Sequence, residues 1–190
     1  SKKLSEKIKN KVLLNFATIL KKNKKKLINE NLKDIKFSQS RGLKLNLIKR
    51  LTLDDNKIES IIKSIEEITR FKDPVNRTLS EWKRPNGLII KKVTVPMGVI
   101  GVIYESRPNV TSDVSSLCFK SSNCVILRGG SEAVNSNKLI VNYFRKALTK
   151  NNLDPNYVQM INKQDRKYVD QMLSKMKKYI DVIIPRGGKN

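Results

Sequence analysis

The sequence predicts an α/β fold, namely a parallel βαβ sheet with a helical arm at its N-terminus. Two short apolar segments, Val99–Tyr104 and residues 125–127, each end at a polar turn, and a stretch with helical spacing separates them. Apolar residues at helical spacing before residue 74 indicate the arm. Ligands of open α/β sheets bind beyond the carboxyl ends of the strands, so function is expected at these turns.

The helical arm is predicted to occupy residues 1–74. Residues 4–28 carry an apolar stripe and are expected to form one helix, with a weaker helix over residues 29–39 and a short one at Leu45–Leu51. Asp54 is a candidate N-cap for the next helix, which has the clearest pattern in the chain. Its isoleucines follow i, i+3, i+4, i+7 spacing: Ile58, Ile61, Ile62, Ile65 and Ile68.

Residues 75–95 are predicted to form an extended ribbon. Residues 88–95 are rich in β-branched side chains and partly alternate, and Asn86-Gly87 before them is a turn dipeptide. The ribbon is expected to link the helical arm to the sheet.

Residues 96–190 are the predicted α/β domain. The helix after Val99–Tyr104 is expected to bury Val114, Leu117 and Cys118. The remaining predicted elements are a helix over residues 139–148, a strand over 158–161, a helix over 165–178 and a strand over 181–184. The helix over 165–178 is expected to turn four side chains inward: Val169, Met172, Leu173 and Met176. Because the sequence stops soon after the last strand, the fold is expected to be incomplete.

The net charge of +23 permits two interpretations. A basic chain of this kind can bind nucleic acid, or its lysines can cover solvated helix faces. Here the lysines are scattered along the predicted helices, and no aromatic residues alternate with a basic run, which favours solvated faces. A basic nucleic-acid-binding protein remains the alternative function.

Composition also excludes several kinds of site. The chain has no histidine, which rules out imidazole metal ligands and Ser-His or Cys-His catalysis within it, and no metal site is predicted. Cys118 and Cys124 have no zinc-ligand partner set and are expected to be reduced, inert core thiols. No apolar segment approaches the length of a membrane span, so a cytoplasmic protein without membrane contact is expected.

Three turns follow predicted strands, at residues 105–109, 128–132 and 186–188. In the last two an arginine precedes two glycines, a combination that suits an anion because glycine lets backbone N–H groups approach and arginine offers a bidentate fork. Glu132 is either a ribose acceptor or a favourable charge at a helix N-terminus. Asn109 is either an oxyanion donor or a helix cap. The dinucleotide fingerprint G-x-G-x-x-G is absent.

Four strings in these regions resemble a known family. From about residue 10 to residue 188 the chain is similar to the N-terminal part of the gamma-glutamyl phosphate reductases, also called glutamate-5-semialdehyde dehydrogenases, of the aldehyde dehydrogenase superfamily. The matching strings are VIGVIYE at 99–105, RPNVT at 107–111, VILRGGSE at 125–132 and IPRGG at 184–188.

The resemblance implies an aldehyde-dehydrogenase-like fold whose NADP-binding α/β domain is residues 96–190. It also implies an enzyme of proline biosynthesis that reduces L-glutamyl 5-phosphate with NADPH, releasing phosphate and glutamate 5-semialdehyde. It further implies that the ribbon of residues 75–95 mediates oligomerisation, and a homo-oligomer is expected for the complete enzyme. The family's nucleophilic cysteine lies beyond residue 190 and corresponds to neither Cys118 nor Cys124. Residues 1–190 alone are therefore expected not to turn over substrate.

The resemblance also implies roles for single residues. Asn109 matches an asparagine that helps to hold the oxyanion. The segment that grips the adenosine ribose is matched by Arg128, Gly129, Gly130, Ser131 and Glu132. Arg128 is the candidate partner of the 2′-phosphate, because a guanidinium suits a dianion better than a carboxylate does. The turn beside the pyrophosphate and nicotinamide is matched by Arg186, Gly187 and Gly188.

Overall fold

The computed structural model describes residues 4–105, 107–163 and 165–187, which form seven α-helices and six strands. The helices are α1 Glu6–Lys22, α2 Lys24–Ser40, α3 Leu45–Leu51, α4 Asp55–Arg70, α5 Pro108–Lys120, α6 Val134–Lys150 and α7 Lys167–Ser174. The strands are β1 Thr78–Lys83, β2 Ile89–Val93, β3 Val99–Tyr104, β4 Cys124–Arg128, β5 Val158–Met160 and β6 Val182–Arg186.

Four strands form a parallel sheet in the order β5-β4-β3-β6. Helix α5 connects β3 to β4, and helix α6 connects β4 to β5, as the sequence predicts for consecutive βαβ units. In the register of the sheet Ile103 pairs with Arg128 on one side and with Pro185 on the other. The carboxyl ends of β3, β4 and β6 therefore lie at one edge of the sheet, which confirms the predicted α/β fold.

One buried cluster joins the N-terminal helices to the sheet. Phe16 of α1 packs on Phe144 of α6, with ring centroids 4.8 Å apart, and Phe119 of α5 meets Phe144 edge-on at 5.7 Å. All five isoleucines of the α4 stripe belong to the same cluster, as predicted. The division into residues 1–74, 75–95 and 96–190 stays a prediction.

The N-terminal helix boundary differs from the prediction. A single helix over residues 4–28 was expected, but α1 ends at Lys22 and α2 begins at Lys24 and continues to Ser40. Asn23 separates them, and its side-chain Nδ2 donates to the carbonyl oxygen of Ile19 at 2.8 Å. A short polar side chain that bonds to the backbone in this way favours a helix end. Lysines on both sides of Asn23 favour helix, so the sequence pattern does not indicate that one helix ends here and another begins.

The buried face of α5 is more polar than predicted. Cys118 is buried, but Leu117 is 47% exposed and Val114 is only half-buried. The helix packs against α4, α6 and β4, and four of its buried residues are small hydroxyl residues: Thr111, Ser112, Ser115 and Ser116. Small side chains let neighbouring helices approach closely, so the packing partners, rather than the apolar spacing, decide which face is inside.

The last two elements also depart from the prediction. Helix α7 spans only Lys167–Ser174; within it Met172 is buried, whereas Leu173 is 50% exposed. Strand β6 continues through Pro185 to Arg186, so Arg186 belongs to the strand and pairs with Tyr104. Proline has no N–H for a ladder but is tolerated on an outer strand, and β6 is an outer strand of the described sheet.

The ribbon is an antiparallel pair of β1 and β2, with Trp82 opposite Ile90. Gly87 in the connecting turn has φ of +87°, a left-handed conformation that glycine adopts without strain. Large apolar side chains on the ribbon are exposed: Leu79, Trp82, Leu88, Ile89 and Val93. Within the described part of the chain, none of the helices has the length and apolar character needed to cross a membrane.

Candidate functional site

The three turn segments singled out from the sequence lie along one edge of the sheet. Strand β3 is central, with β4 on one side of it and β6 on the other. Adjacent strands are about 4.8 Å apart, so the backbones of Arg128 and Arg186 are separated by roughly 10 Å across the end of β3. The structure thus brings the segments of Asn109, Arg128 and Arg186 to one edge.

Glycines 129 and 130 lie close to neighbouring side chains. A Cβ on Gly129 would collide with the side-chain amide of Asn137 and lie 3.2 Å from the Tyr104 hydroxyl oxygen. A Cβ on Gly130 would collide with the carboxylate of Glu132. The sequence interpretation attributed both glycines to the approach of an anion, whereas the structure gives each an immediate packing reason.

Arg128, Ser131 and Glu132 surround this glycine pair. Arg128 is the last residue of β4, is half-buried, and donates from Nη1 to the Gly129 carbonyl oxygen at 2.6 Å. Ser131 and Glu132 begin a turn of 3-10 helix at Ser131–Ala133 and are also half-buried. A guanidinium and a carboxylate on either side of a tight turn are suited to a phosphate and to a ribose hydroxyl, respectively.

Beneath the glycines lies a buried hydrogen-bond chain that the sequence did not reveal. The Tyr104 hydroxyl oxygen is 2.6 Å from Thr111 Oγ1, and the Thr111 hydroxyl donates to Asn137 Oδ1 at 2.8 Å. Burial raises the pKa of Tyr104, and the hydrogen bond with Thr111 opposes that rise. The chain joins β3, α5 and α6 under the candidate site and fixes the Asn137 amide that crowds Gly129.

A second buried polar cluster fixes the N-terminus of α6. The N-cap position is Ala133, which has no polar side chain, and the cap is supplied by Asp34 from helix α2. Asp34 Oδ1 accepts from the Asn135 backbone N–H at 3.0 Å and from its Nδ2 at 2.9 Å. Asp34 Oδ2 accepts from the Ser136 backbone N–H at 2.8 Å and from its hydroxyl at 2.6 Å.

Asn31, one helical turn before Asp34, extends this cluster. Its Nδ2 donates to the Leu51 carbonyl oxygen and to Ser136 Oγ, both at 3.0 Å, and its Oδ1 accepts from the Leu53 N–H at 2.7 Å. We call Asn31, Asp34, Asn135 and Ser136 the α2–α6 polar junction. It ties the N-terminal helices to the segment that contains Glu132, although the partners are about a hundred residues apart in sequence.

On the other side of the site, Asn109 lies in the first turn of α5. The N-cap residue of α5 is Arg107, so the helix-cap interpretation of Asn109 is wrong. Asn109 Nδ2 instead donates to Asp113 Oδ2 at 3.3 Å, and the Ser64 hydroxyl donates to Asp113 Oδ1 at 3.4 Å. Burial raises the pKa of Asp113; these two hydrogen bonds and the charge of Arg186 act in the opposite direction.

Two cavities open beside the first turn of α5. The first, of about 460 Å³, lies between α3, α4 and the first turn of α5; we call it the α4–α5 cavity. The second, of about 310 Å³, lies at the ends of β3 and β6 and includes Tyr104, Glu105 and Arg186 in its lining. Arg50 and Arg107 line both cavities. No pattern in the sequence indicates that Arg50 lies at this edge of the sheet.

Gly187 abuts Glu105 at the edge of the second cavity. A Cβ on Gly187 would lie 3.1 Å from Glu105 Oε1, so this glycine also permits a close approach. Gly188, the remaining residue assigned to this turn, lies outside the described residues.

Both cysteines lie away from this edge. Cys118 is a buried free thiol whose pKa is raised to about 11 by burial and, to a lesser extent, by Cys124. Cys124 is the first residue of β4, at the amino edge of the sheet, and burial also raises the pKa of its thiol. Four residues of strand, about 13 Å, separate it from Arg128.

Comparisons with known proteins identify relatives over almost the whole chain. No family model matches it. It is 45% identical over 187 residues to the gamma-glutamyl phosphate reductase of Thermodesulfovibrio yellowstonii, an alignment that covers 98% of this chain and 44% of the relative. The crystal structure of gamma-glutamyl phosphate reductase from Thermotoga maritima has a TM-score of 0.94 at 40% identity and covers 98% of this chain and 45% of that one.

A propionaldehyde dehydrogenase from Clostridium phytofermentans has a TM-score of 0.67 at 16% identity, covering 98% of this chain and 39% of that one, and shows a shared fold. The aldehyde-dehydrogenase-like fold expected from the resemblance is therefore confirmed. The chain spans about 44% of the length of the curated relatives it matches. The alternative of a basic nucleic-acid-binding protein gains no support from these comparisons.

Proposed function

Because the chain belongs to the gamma-glutamyl phosphate reductases, of which it spans about 44% of the length, we propose that it forms the cofactor-binding part of such an enzyme. The reaction of the complete enzyme is the reduction of L-glutamyl 5-phosphate to L-glutamate 5-semialdehyde with release of phosphate, a step of proline biosynthesis. The nicotinamide cofactor is NADPH, which supplies the hydride when it is bound.

One observation carries the proposal. The carboxyl ends of three parallel strands meet at one edge, where Asn109 follows β3 and the two arginines, Arg128 and Arg186, lie on the neighbouring strands. This edge is where open α/β sheets bind their ligands. The cationic groups on both sides of an amide donor suit a phosphorylated cofactor beside an acyl group.

The residues around the glycine pair fit the adenosine end of NADPH. Arg128 is half-buried, and its Nη1 donates to the Gly129 carbonyl oxygen. A guanidinium carries a positive charge and several N–H donors, which suits a phosphate. We assign the 2′-phosphate to Arg128 and a ribose hydroxyl to Glu132, with Gly129, Gly130 and Ser131 shaping the turn between them. We assign the pyrophosphate and nicotinamide end to residues 186–188.

Asn109 is assigned to the oxyanion. Its amide has two N–H groups, one of which donates to Asp113 and thereby orients the side chain. The other is suited to a developing negative charge on the acyl oxygen. The two cysteines of this chain are not assigned as the nucleophile: Cys118 is buried with a raised pKa, and Cys124 lies at the opposite edge of the sheet. We therefore expect no substrate turnover by this chain alone.

The exposed ribbon of β1 and β2 supports a further assignment for the complete protein. Its apolar side chains, which include Leu79, Leu88 and Ile89, are suited to a contact between copies in a homo-oligomer.

The two free thiols are in keeping with the reducing environment of the cytoplasm.

A fluorescence titration with NADPH tests the cofactor assignment. The chain is expected to bind NADPH, and Arg128→Ala is expected to weaken binding roughly tenfold, because a charge-assisted hydrogen bond to phosphate is lost. NADH, which has no 2′-phosphate, is expected to bind with nearly equal affinity to both proteins. Arg145→Ala, on the half-exposed part of α6, is the matched control and is expected to leave NADPH binding unchanged.

Two results would contradict this assignment. One is an equal loss of NADH and NADPH affinity in Arg128→Ala, which would give Arg128 a structural role only. The other is salt-dependent binding of DNA by a chain that does not respond to NADPH, which would favour the nucleic-acid alternative.

A further inference from the structure

We propose that the α4–α5 cavity binds an oxyanion of the substrate, a phosphate or carboxylate group, with Arg50 and Arg107 as its main partners. This inference rests on the proposed function, because it names the part of the molecule that recognises the substrate of that reaction. It adds a binding site on the N-terminal helices to the turns at the sheet edge.

The charge of the cavity indicates an anionic ligand. Four cationic side chains line it: Lys49, Arg50, Lys57 and Arg107. Asp113 is the one acidic side chain among the described lining residues, and its two carboxylate oxygens accept from Asn109 and Ser64. Like charges gathered around one concave surface raise the local concentration of an oppositely charged ligand.

Lys57, which lines this cavity, is held in place by the end of α3. Its Nζ donates to the carbonyl oxygens of Lys49 and Thr52, both at 2.7 Å. An ammonium group has three N–H donors, so these two contacts hold the charge in place and leave donor capacity for a ligand. Cations held by the backbone have less side-chain entropy to lose on binding an anion than mobile ones.

The floor of the cavity is apolar. Leu53 and Ile61 both line it and are each only 4% exposed. A small molecule that combines a short aliphatic chain with charged ends matches an apolar floor with a cationic rim. L-Glutamyl 5-phosphate has this character, since methylene groups separate its phosphorylated carboxyl from its α-carboxylate.

The position of the cavity agrees with the proposed chemistry. Asn109, assigned to the oxyanion, lines the same cavity as Arg50 and Arg107, and both arginines also line the second cavity beside Arg186. An acyl group held at Asn109 would therefore have its own phosphate, or its α-carboxylate, within the cationic surroundings of the cavity. Arg50 and Arg107 are placed to determine specificity for a substrate with two anionic ends.

Titration of the ¹⁵N-labelled chain with inorganic phosphate and, separately, with L-glutamate tests this inference. The backbone amide signals of Asn109, Val110 and Asp113 report on the cavity and are expected to shift with phosphate, with L-glutamate, or with both. Arg50→Gln is expected to weaken the response roughly tenfold, since it removes a charged hydrogen-bond donor. Arg50 is exposed, so the substitution is expected not to affect folding.

Lys63→Gln is the matched control, because it removes the same charge from an exposed position of α4 that does not line the cavity. It is expected to change the affinity by less than about twofold. Equal weakening by both substitutions, an unchanged response in Arg50→Gln, or no shift with either probe would each overturn the inference. A response to phosphate alone assigns the cavity to the phosphoryl group, and a response to L-glutamate alone assigns it to a carboxylate.

The result is separable from the cofactor test. If the chain shows the Arg50-dependent response to anions but does not bind NADPH, the oxyanion site is supported and the reductase assignment is contradicted. A chain that binds NADPH through Arg128 without the anion response retains the cofactor assignment and loses the oxyanion site.

Discussion

The ends of β3 and β4 lead into helices in the same way but are supported very differently. After β4, the segment that contains Glu132 is held from below by buried polar groups, and Asp34 alone accepts four hydrogen bonds from Asn135 and Ser136. After β3, the first turn of α5 lines two cavities, and the Asn109 side chain in this turn makes a long hydrogen bond to Asp113 at 3.3 Å.

This difference indicates different tasks for the two strand ends. A fully hydrogen-bonded junction fixes its neighbours in one geometry, which suits a segment that grips a ligand of constant shape. On the β3 side, Asp113 is a half-buried carboxylate with weak contacts beside an open cationic cavity. Such a group lowers the stability of the fold, which is typical of sites that contact reacting groups. Substitutions on the β4 side should therefore mainly affect folding, and those on the β3 side should mainly affect binding.

The largest effect is expected for Asp34→Ala. The substitution leaves the Asn135 and Ser136 donors buried without their acceptor, and we expect it to lower the free energy of unfolding by about 3 kcal/mol. Urea denaturation followed by circular dichroism measures this loss. Asp54→Ala is the control: Asp54 caps α4 at an exposed position through a single bond to the Lys57 N–H, and its loss should cost about 1 kcal/mol.

Similar losses for Asp34→Ala and Asp54→Ala would show that the α2–α6 polar junction is no stronger than an ordinary helix cap. The proposed contrast between the two strand ends would then have no energetic basis.

A smaller effect is expected for Gly129→Ala. The added methyl group would collide with the Asn137 amide, which is itself fixed by Thr111, so we expect a loss of about 2 kcal/mol in the free energy of unfolding. Gly101→Ala is the matched control within β3. Its methyl group would lie 3.1 Å from Met172 Cε and 3.2 Å from Ile180 Cγ2, and a shift of a few tenths of an ångström relieves these contacts at a cost below about 1 kcal/mol.

Denaturation midpoints of the two alanine variants compare them directly. If Gly101→Ala is the more destabilised variant, then the Asn137 side chain and its hydrogen-bond chain under Gly129 move aside at a lower cost in free energy than Met172 and Ile180 do. The β4 end could not then be described as the rigid side of the site.

Local patterns account for the parts of the molecule that the sequence predicted correctly. Strands β3 and β4 and the isoleucine stripe of α4 are set by apolar residues close together in the chain, and the positions of the candidate turns follow from the strand ends. The exposure of Leu117 and Leu173 was missed because it depends on which neighbours pack against α5 and α7. The spacing of apolar residues shows that a helix has an apolar face, but it does not show which elements pack against that face.

The missed parts of the site have the same origin. Asp34 caps a helix that begins a hundred residues later, and Arg50 reaches the end of β3 only through the packing of α3. Contacts between residues so far apart in the chain do not affect the local spacing of apolar and polar residues. A single Asp or Arg on a lysine-rich helix therefore cannot be distinguished in the sequence from its solvated neighbours. The resemblance to a family identified the turns that belong to the sheet but not the helical side of the site.

The smallest effect, and the one that tests the β3 side most directly, concerns Asp113 and pH. Because burial raises its pKa in the folded state above the ordinary value of 3.8, the folded protein binds this proton more tightly than the unfolded chain does. Ionisation of Asp113 therefore costs stability, and the cost appears as the pH rises from the usual range for Asp through the raised pKa. Asp113→Asn removes that cost, and its amide can still accept from Asn109 while donating to the Ser64 hydroxyl.

We therefore expect Asp113→Asn to be more stable relative to the parent at pH 7 than at pH 4, as measured by urea denaturation at both values. Asp165→Asn serves as a control of opposite sign, because hydrogen bonds from Lys167 lower the pKa of Asp165 and make its ionised form slightly favourable. It should be less stable relative to the parent at pH 7 than at pH 4. If Asp113→Asn behaves like Asp165→Asn, the Asp113 carboxylate stabilises the fold, and the first turn of α5 is not a place where stability is exchanged for binding.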